Sequence, residues 1–144
     1  MKKPIVNVLE PSQQQLELLL RLYQTGKYTD TEKLSVSITE EFPKHPFAWK
    51  VLAAVLKQMG KINESLVASQ KSVQLNPQDA EAQKNLGVIL LEMGRLNEAE
   101  ASFRKLITLK PDYAEAYSNL GVTLQEVRTL DEAEISYRKT IDLK

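Results

Sequence analysis

Apolar positions along the chain fall into paired stripes. Leu86, Gly87, Leu90 and Met93 are spaced three or four apart, which is the spacing of one helix face. Ala99, Phe103, Leu106 and Ile107 repeat the pattern in the following segment. Gly94 lies between the two, where a helix C-terminus favours a residue that tolerates positive φ. Pro111 then closes the pair, since proline cannot continue a helix. The pattern predicts two antiparallel helices joined by a short turn. Asn97 stands three residues before Glu100, a capping-box spacing for the second helix. Thr29 with Glu32 and Asp131 with Glu134 repeat that spacing, whereas Asn63 is followed by Leu66.

The same punctuation recurs along the chain. Pro43, Pro77 and Pro111 are 34 residues apart, as are Gly26, Gly60 and Gly94. The next step of the glycine series lands on Arg128. The same ruler joins Trp49, Gln83 and Tyr117, and it joins Leu18, Leu52, Leu86 and Leu120. Residues 80–110 and 114–144 match at 19 of 31 aligned positions, which reads as duplication. The predicted repeats are 12–45, 46–79, 80–113 and 114–144, preceded by an arm over 1–11. Residues 12–144 are expected to form one repeat domain.

Small residues predict how each pair closes. Gly87 and Gly121 on first helices let the second helix approach, and Ala99 and Ala133 play the reciprocal part. Leu90, Phe103, Leu124 and Tyr137 are expected to fill the space beside those contacts. One helix pair cannot bury its stripe alone, so the pairs are expected to stack.

Composition narrows the function. The chain has 144 residues, zero formal net charge and no cysteine. Disulfides, thiolate nucleophiles and cysteine-bound metals are excluded, and there is no global basic footprint for nucleic acid. Lys2 and Lys3 precede only a short apolar run ended by Glu10, too short for a signal peptide. No window is apolar enough for a membrane span. These features point to a cytoplasmic protein without nucleic-acid or membrane partners. His45 is the only histidine; it is expected in a solvated turn, and one histidine makes no zinc site. Glu98 and Glu100 lie among Arg95 and Arg104 and read as a solvated face rather than an acid–base pair. No phosphate loop or nucleophile-elbow motif occurs. No catalytic residue, metal ligand or cofactor is predicted.

These residues resemble the tetratricopeptide-repeat family, whose pattern is W-x₂-L-G-x₂-Y, then A-x₃-F, then P over 34 residues. The fourth repeat supplies Tyr117, Leu120, Gly121, Leu124, Ala133 and Tyr137. The third supplies Gln83, Leu86, Gly87, Leu90, Ala99, Phe103 and Pro111. The second keeps Trp49, Leu52 and Pro77 but has Ala53, Ser65, Ser69 and Ser72 at the remaining places. The first keeps Leu18 and Pro43 but has Leu19 and Thr31 at the small-residue places. The resemblance implies an all-α, right-handed α-solenoid of about four helix-turn-helix repeats. The segments Leu22 to Tyr28 and Phe42 to Lys50 also resemble leading repeats of large bacterial glycosyltransferase or sulfotransferase chains.

For function, the resemblance implies a scaffold that binds a peptide or partner protein along a groove lined by first helices. Carried over by phase, the groove positions are Phe47, Lys50 and Lys57 in the second repeat. In the third they are Glu81, Lys84, Asn85, Val88 and Glu92, and in the fourth Glu115, Ser118, Asn119, Val122 and Glu126. Asn85 and Asn119 are equivalent, and a carboxamide can hold peptide backbone with both a donor and an acceptor. Glu81, Glu115 and Asn119 stand where a carboxylate-binding clamp would need basic groups, so a neutral or basic peptide is expected. Trp49 is expected in the core, with Phe47 and Tyr23 as the more exposed aromatics. Two alternatives stand beside the scaffold: a substrate-recognition module of a larger transferase, and self-association through an uncapped last repeat. The stop at Lys144, short of a fourth proline, fits a fragment or an end that pairs with another molecule.

Overall fold

The computed structural model describes residues 10–142; the 1–11 arm lies largely outside them. The described residues form seven α-helices: α1 Gln13–Gln24, α2 Tyr28–Glu41, α3 Pro46–Gln58, α4 Ile62–Leu75, α5 Ala80–Glu92, α6 Leu96–Leu109 and α7 Ala114–Asp142. They fall into two compact units, Met1–Asn76 and Pro77–Lys144. The first holds α1–α4, with α3 packed against α1, α2 and α4; the second holds α5–α7, with α6 packed against both neighbours.

The turns follow the glycines. Gly26, Gly60 and Gly94 take φ of 75°, 77° and 75°, the left-handed region that a side chain disfavours. After each glycine the next amide reaches back five residues: Lys27 to Leu22, Lys61 to Leu56 and Arg95 to Leu90, at 3.0, 2.8 and 2.9 Å. This is the hydrogen bonding of a Schellman C-cap. The backbone then re-enters helix at once, with Lys27, Lys61 and Arg95 as N-caps that use no side-chain cap. The capping boxes expected at Thr29 and Asn97 therefore do not form, because both residues already lie inside their helices. Their glutamates bind cations instead: Glu32 takes Lys61, and Glu100 takes Arg104 at 2.9 Å. A capping box does form at Ser12 and Gln15, starting α1.

Each unit has its own core. In the first unit, Leu19, Ile38, Phe42, Ala48 and Val51 form one cluster, and Leu52, Ala53, Val55, Leu56 and Ala68 form another. Thr31, Ser35, Ser65, Ser69 and Ser72 are also buried. Their hydroxyls need partners there; Ser65 donates to the Ala53 carbonyl of the facing helix at 2.6 Å. In the second unit, Leu86, Ile89, Leu90, Ala99, Phe103 and Leu106 are buried. A Cβ on Gly87 would sit 2.6 Å from Phe103 Cε1, so the expected close approach at this glycine is real.

The last expected hairpin is absent. The turn predicted near Arg128 is helix, and α7 runs unbroken from Ala114 to Asp142. A left-handed arginine costs about 1–2 kcal/mol, while Gln125, Glu126, Arg128 and Leu130 are good helix formers. Arg128 also bonds Glu132 one turn on, at 2.9 Å. The packing predicted for this repeat is lost with the turn. Nothing lies within 4 Å of a Cβ on Gly121. Leu124 and Ala133 are exposed, and Tyr137 is 73% exposed.

Candidate functional site

The first-helix positions predicted to bind a ligand sit on α3, α5 and α7. On α3, Phe47, Lys50 and Lys57 are all half-buried. Pro46 occupies the first turn of this helix, where its missing N–H costs nothing, so Phe47 projects at once from a rigid start. Phe47 packs against the Leu19–Val51 cluster. Its exposed part meets α1, where Gln13, Leu16, Glu17 and Leu20 complete a hollow of about 220 Å³. The Lys50 ammonium stands 5.8 Å from the Phe47 ring centroid, within cation–π range. Leu16 and Leu20 are not among the sequence-derived positions. Their four-residue spacing on α1 is a readable signal, but the first repeat departs from the family pattern at Leu19.

On α5, Glu81 and Glu92 are exposed, and Lys84, Asn85 and Val88 are half-buried. Lys84 belongs to a small network. Its ammonium donates to the Tyr113 hydroxyl at 3.3 Å, and that hydroxyl donates to Glu115 at 2.7 Å. Lys84 and Glu115 also pair directly at 3.8 Å. Burial pushes the Lys84 ammonium down. The Tyr113 hydrogen bond and the charges of Glu115 and Glu81 outweigh it, so its pKa lies above the ordinary lysine value. Lys84 and Glu115, both predicted ligand positions, are thereby joined to each other.

On α7, Glu115, Ser118, Val122 and Glu126 are exposed, while Asn119 is half-buried. Its Nδ2 is shielded and makes no hydrogen bond. At 100° per residue, Glu115, Asn119, Val122 and Glu126 share one helix face. Because α7 is unbroken, that face runs on through Ala133 and Tyr137, residues the expected hairpin would have covered.

Other singled-out residues fall differently from expectation. His45 precedes α3 and is half-buried, with Nδ1 shielded and unbonded; a fully solvated turn residue would show neither. Phe47 and Tyr23 are half-buried against the core rather than exposed. Trp49 is half-buried, and its Nε1 donates to the Pro43 carbonyl at 2.8 Å. Gln83 and Tyr117, one and two periods on, make the same bond to Pro77 and Pro111, at 3.1 and 2.7 Å. Among the described residues, no group of three His, Cys, Asp or Glu side chains is placed to hold a metal. No described helix is long and apolar enough to cross a membrane.

Three family models, one described as a TPR repeat and two as tetratricopeptide repeats, match residues 89–127, 68–101 and 114–144. This is a tetratricopeptide-repeat chain. Its fold is the all-α repeat solenoid of that family, as solved structures show. The first TPR of Spaghetti (RPAP3), bound to the HSP90 peptide SRMEEVD, is 20% identical with a TM-score of 0.78, over 85% of this chain and 99% of that one. The Yersinia enterocolitica type III secretion chaperone SycD, in complex with a peptide of the translocator YopD, is 20% identical with a TM-score of 0.71, over 78% and 92%. The Thermobaculum terrenum O-GlcNAc transferase is 22% identical with a TM-score of 0.71; the match covers 86% of this tetratricopeptide-repeat chain but 23% of the transferase. Curated proteins give no significant sequence match.

Proposed function

We propose that this chain is a cytoplasmic interaction scaffold, and not itself an enzyme, that binds a peptide or partner protein on its first-helix positions. The observation that carries the reading is the hollow between α1 and α3. Leu16, Leu20 and Phe47 present apolar surface there, and Glu17 sits at the edge. A bulky apolar side chain of the ligand fills that hollow. Further positions lie on α5 and α7: Lys84, Asn85 and Val88, then Ser118, Asn119 and Val122. Glu81, Glu92, Glu115 and Glu126 give the second unit's row four carboxylates against the one ammonium of Lys84. Such a row favours a neutral or basic peptide over an acidic one.

The test is calorimetric titration with two peptides of equal length and apolar content, one basic and one acidic. The basic peptide binds more tightly. Phe47→Ala weakens it about tenfold or more, as loss of a large anchor does. Tighter binding of the acidic peptide, or unchanged binding by Phe47→Ala, sinks the reading.

Two further readings rest on specific observations. The partial match to the O-GlcNAc transferase supports a role as the substrate-recognition module of a larger transferase. The open faces of α7 support self-association: Gly121 and Leu124 lack the second helix that Phe103 belongs to in the repeat before, and Tyr137 lacks a first helix to cover. Light scattering across a concentration series separates this second reading from a monomeric scaffold.

A further inference from the structure

A second apolar cleft lies in the first unit, away from the first-helix row. It measures about 290 Å³ and is lined by Glu32 and Val36 of α2, Trp49, Leu52 and Leu56 of α3, and Glu64, Val67 and Ala68 of α4. Helical spacing separates it from the ligand row. Trp49, Leu52 and Leu56 are three and four residues apart and share one face of α3, whereas Phe47, Ala54 and Lys57 lie about 80–160° round from Trp49. Its walls are second helices, whose outer faces are ordinarily polar. One 34-residue period on, the places equivalent to Val36 and Val67 are held by Gln70 and Ala101. Here the two valines are 38% and 64% exposed.

The rim of the cleft is charged in one sense. Glu32 on one wall accepts both hydrogen bonds from Lys61, at 2.9 and 3.1 Å. Glu64 on the opposite wall adds a second carboxylate near the same ammonium. Two carboxylates against one lysine leave the rim negative. A cleft of this size is at the lower limit for a small-molecule site but takes one or two large side chains.

We infer that this cleft is a second docking site for a protein segment that inserts a leucine, methionine or phenylalanine between Val36 and Val67, with a lysine or arginine beside it facing Glu64. The apolar side chain covers the exposed valines and the Trp49 edge. The adjacent cation meets the carboxylate that Lys61 does not hydrogen-bond. The site is independent of the first-helix row, so one chain can hold two segments at once.

Trp49 is the only tryptophan, so its fluorescence reads this cleft directly. The probe is a twelve-residue amphipathic peptide with leucines four apart and flanking lysines, beside versions with the lysines changed to glutamate or the leucines to alanine. The lysine–leucine peptide shifts Trp49 emission with a saturating curve. The glutamate version binds about fivefold more weakly, and the alanine version gives no shift. Val67→Glu abolishes the shift while circular dichroism and melting stay as in the parent. Glu64→Lys reverses the preference between the two charged peptides, and Phe47→Ala, which weakens binding at the α1–α3 hollow, leaves the saturating Trp49 shift in place. The inference is overturned if Val67→Glu binds normally, if the glutamate peptide binds as well as the lysine peptide, or if Phe47→Ala abolishes the shift. That last result would place the peptide in the α1–α3 hollow and leave the main functional reading standing.

Discussion

The ring of Phe103 lies on the backbone of Gly87, with three ring carbons within 3 Å of where a Cβ would project. One repeat later, Gly121 stands at the same place in the pattern and has nothing against it. The two glycines therefore respond oppositely to alanine. Gly87→Ala forces a fully buried ring to move and destabilises the protein by about 1–3 kcal/mol, more than its helix-propensity gain. Gly121→Ala keeps only that gain and stabilises by up to about 1 kcal/mol. Chemical denaturation of both variants checks the pair. Destabilisation by Gly121→Ala would mean that a second helix closes over it.

Arg128→Gly removes the side chain that keeps α7 from turning. Glycine costs about 1 kcal/mol within a helix and takes a left-handed φ freely. The variant folds residues 130–142 back toward Gly121, as α6 folds on α5. Cysteines introduced at 121 and 137 then crosslink readily in Arg128→Gly and poorly with Arg128 present. Equal crosslinking in both backgrounds would refute a straight α7.

The Lys61–Glu32 pair predicts an alkaline limit. The hydrogen bond and charge of Glu32 hold the Lys61 pKa above its ordinary value. A raised folded-state pKa stabilises while the unfolded lysine is still protonated, and that contribution disappears as pH climbs through the raised value. The melting difference between the parent and Glu32→Gln is therefore steady from about pH 7 to about pH 9 and shrinks above about pH 10.4. A difference that grew with alkali would contradict the pairing.

Tyr113→Phe breaks the link between Lys84 and Glu115. The phenol both accepts from one and donates to the other, so its loss costs about 0.5–1.5 kcal/mol. The Lys84 pKa, followed by NMR of the side-chain amine, falls toward the ordinary value. An unmoved Lys84 titration would remove Tyr113 from the network.

Three of the four expected hairpins form, and the sequence makes them readable because their turns depend on one atom's absence. Gly26, Gly60 and Gly94 take backbone angles that a Cβ penalises, so the residue type reports the turn. The fourth turn has no such report at Arg128, and duplication of residues 80–110 suggests a closure that the local chain does not make. Cap positions are less legible: Thr29 and Asn97 carry the right spacing, yet the Schellman turn brings the helix in ahead of them. At the candidate site, Phe47 is readable from its phase. Leu16 and Leu20 are legible only through their four-residue spacing, since the first repeat lacks the small residues that would set their phase. The outer cleft depends on Val36 and Val67 meeting across two helices, 31 residues apart, a pairing that no single-helix period contains.

Three unlike side chains tie down the same loop: the indole of Trp49, the amide of Gln83 and the phenol of Tyr117 each reach a proline carbonyl six residues back. The slot asks for a proton delivered at a fixed distance and is indifferent to aromaticity, size or ring. Exchanging the glutamine with either ring at this slot is thus a mild change, although a substitution table would rank it severe. Leucine at the same slot, close in bulk and in greasiness, would set the loop adrift.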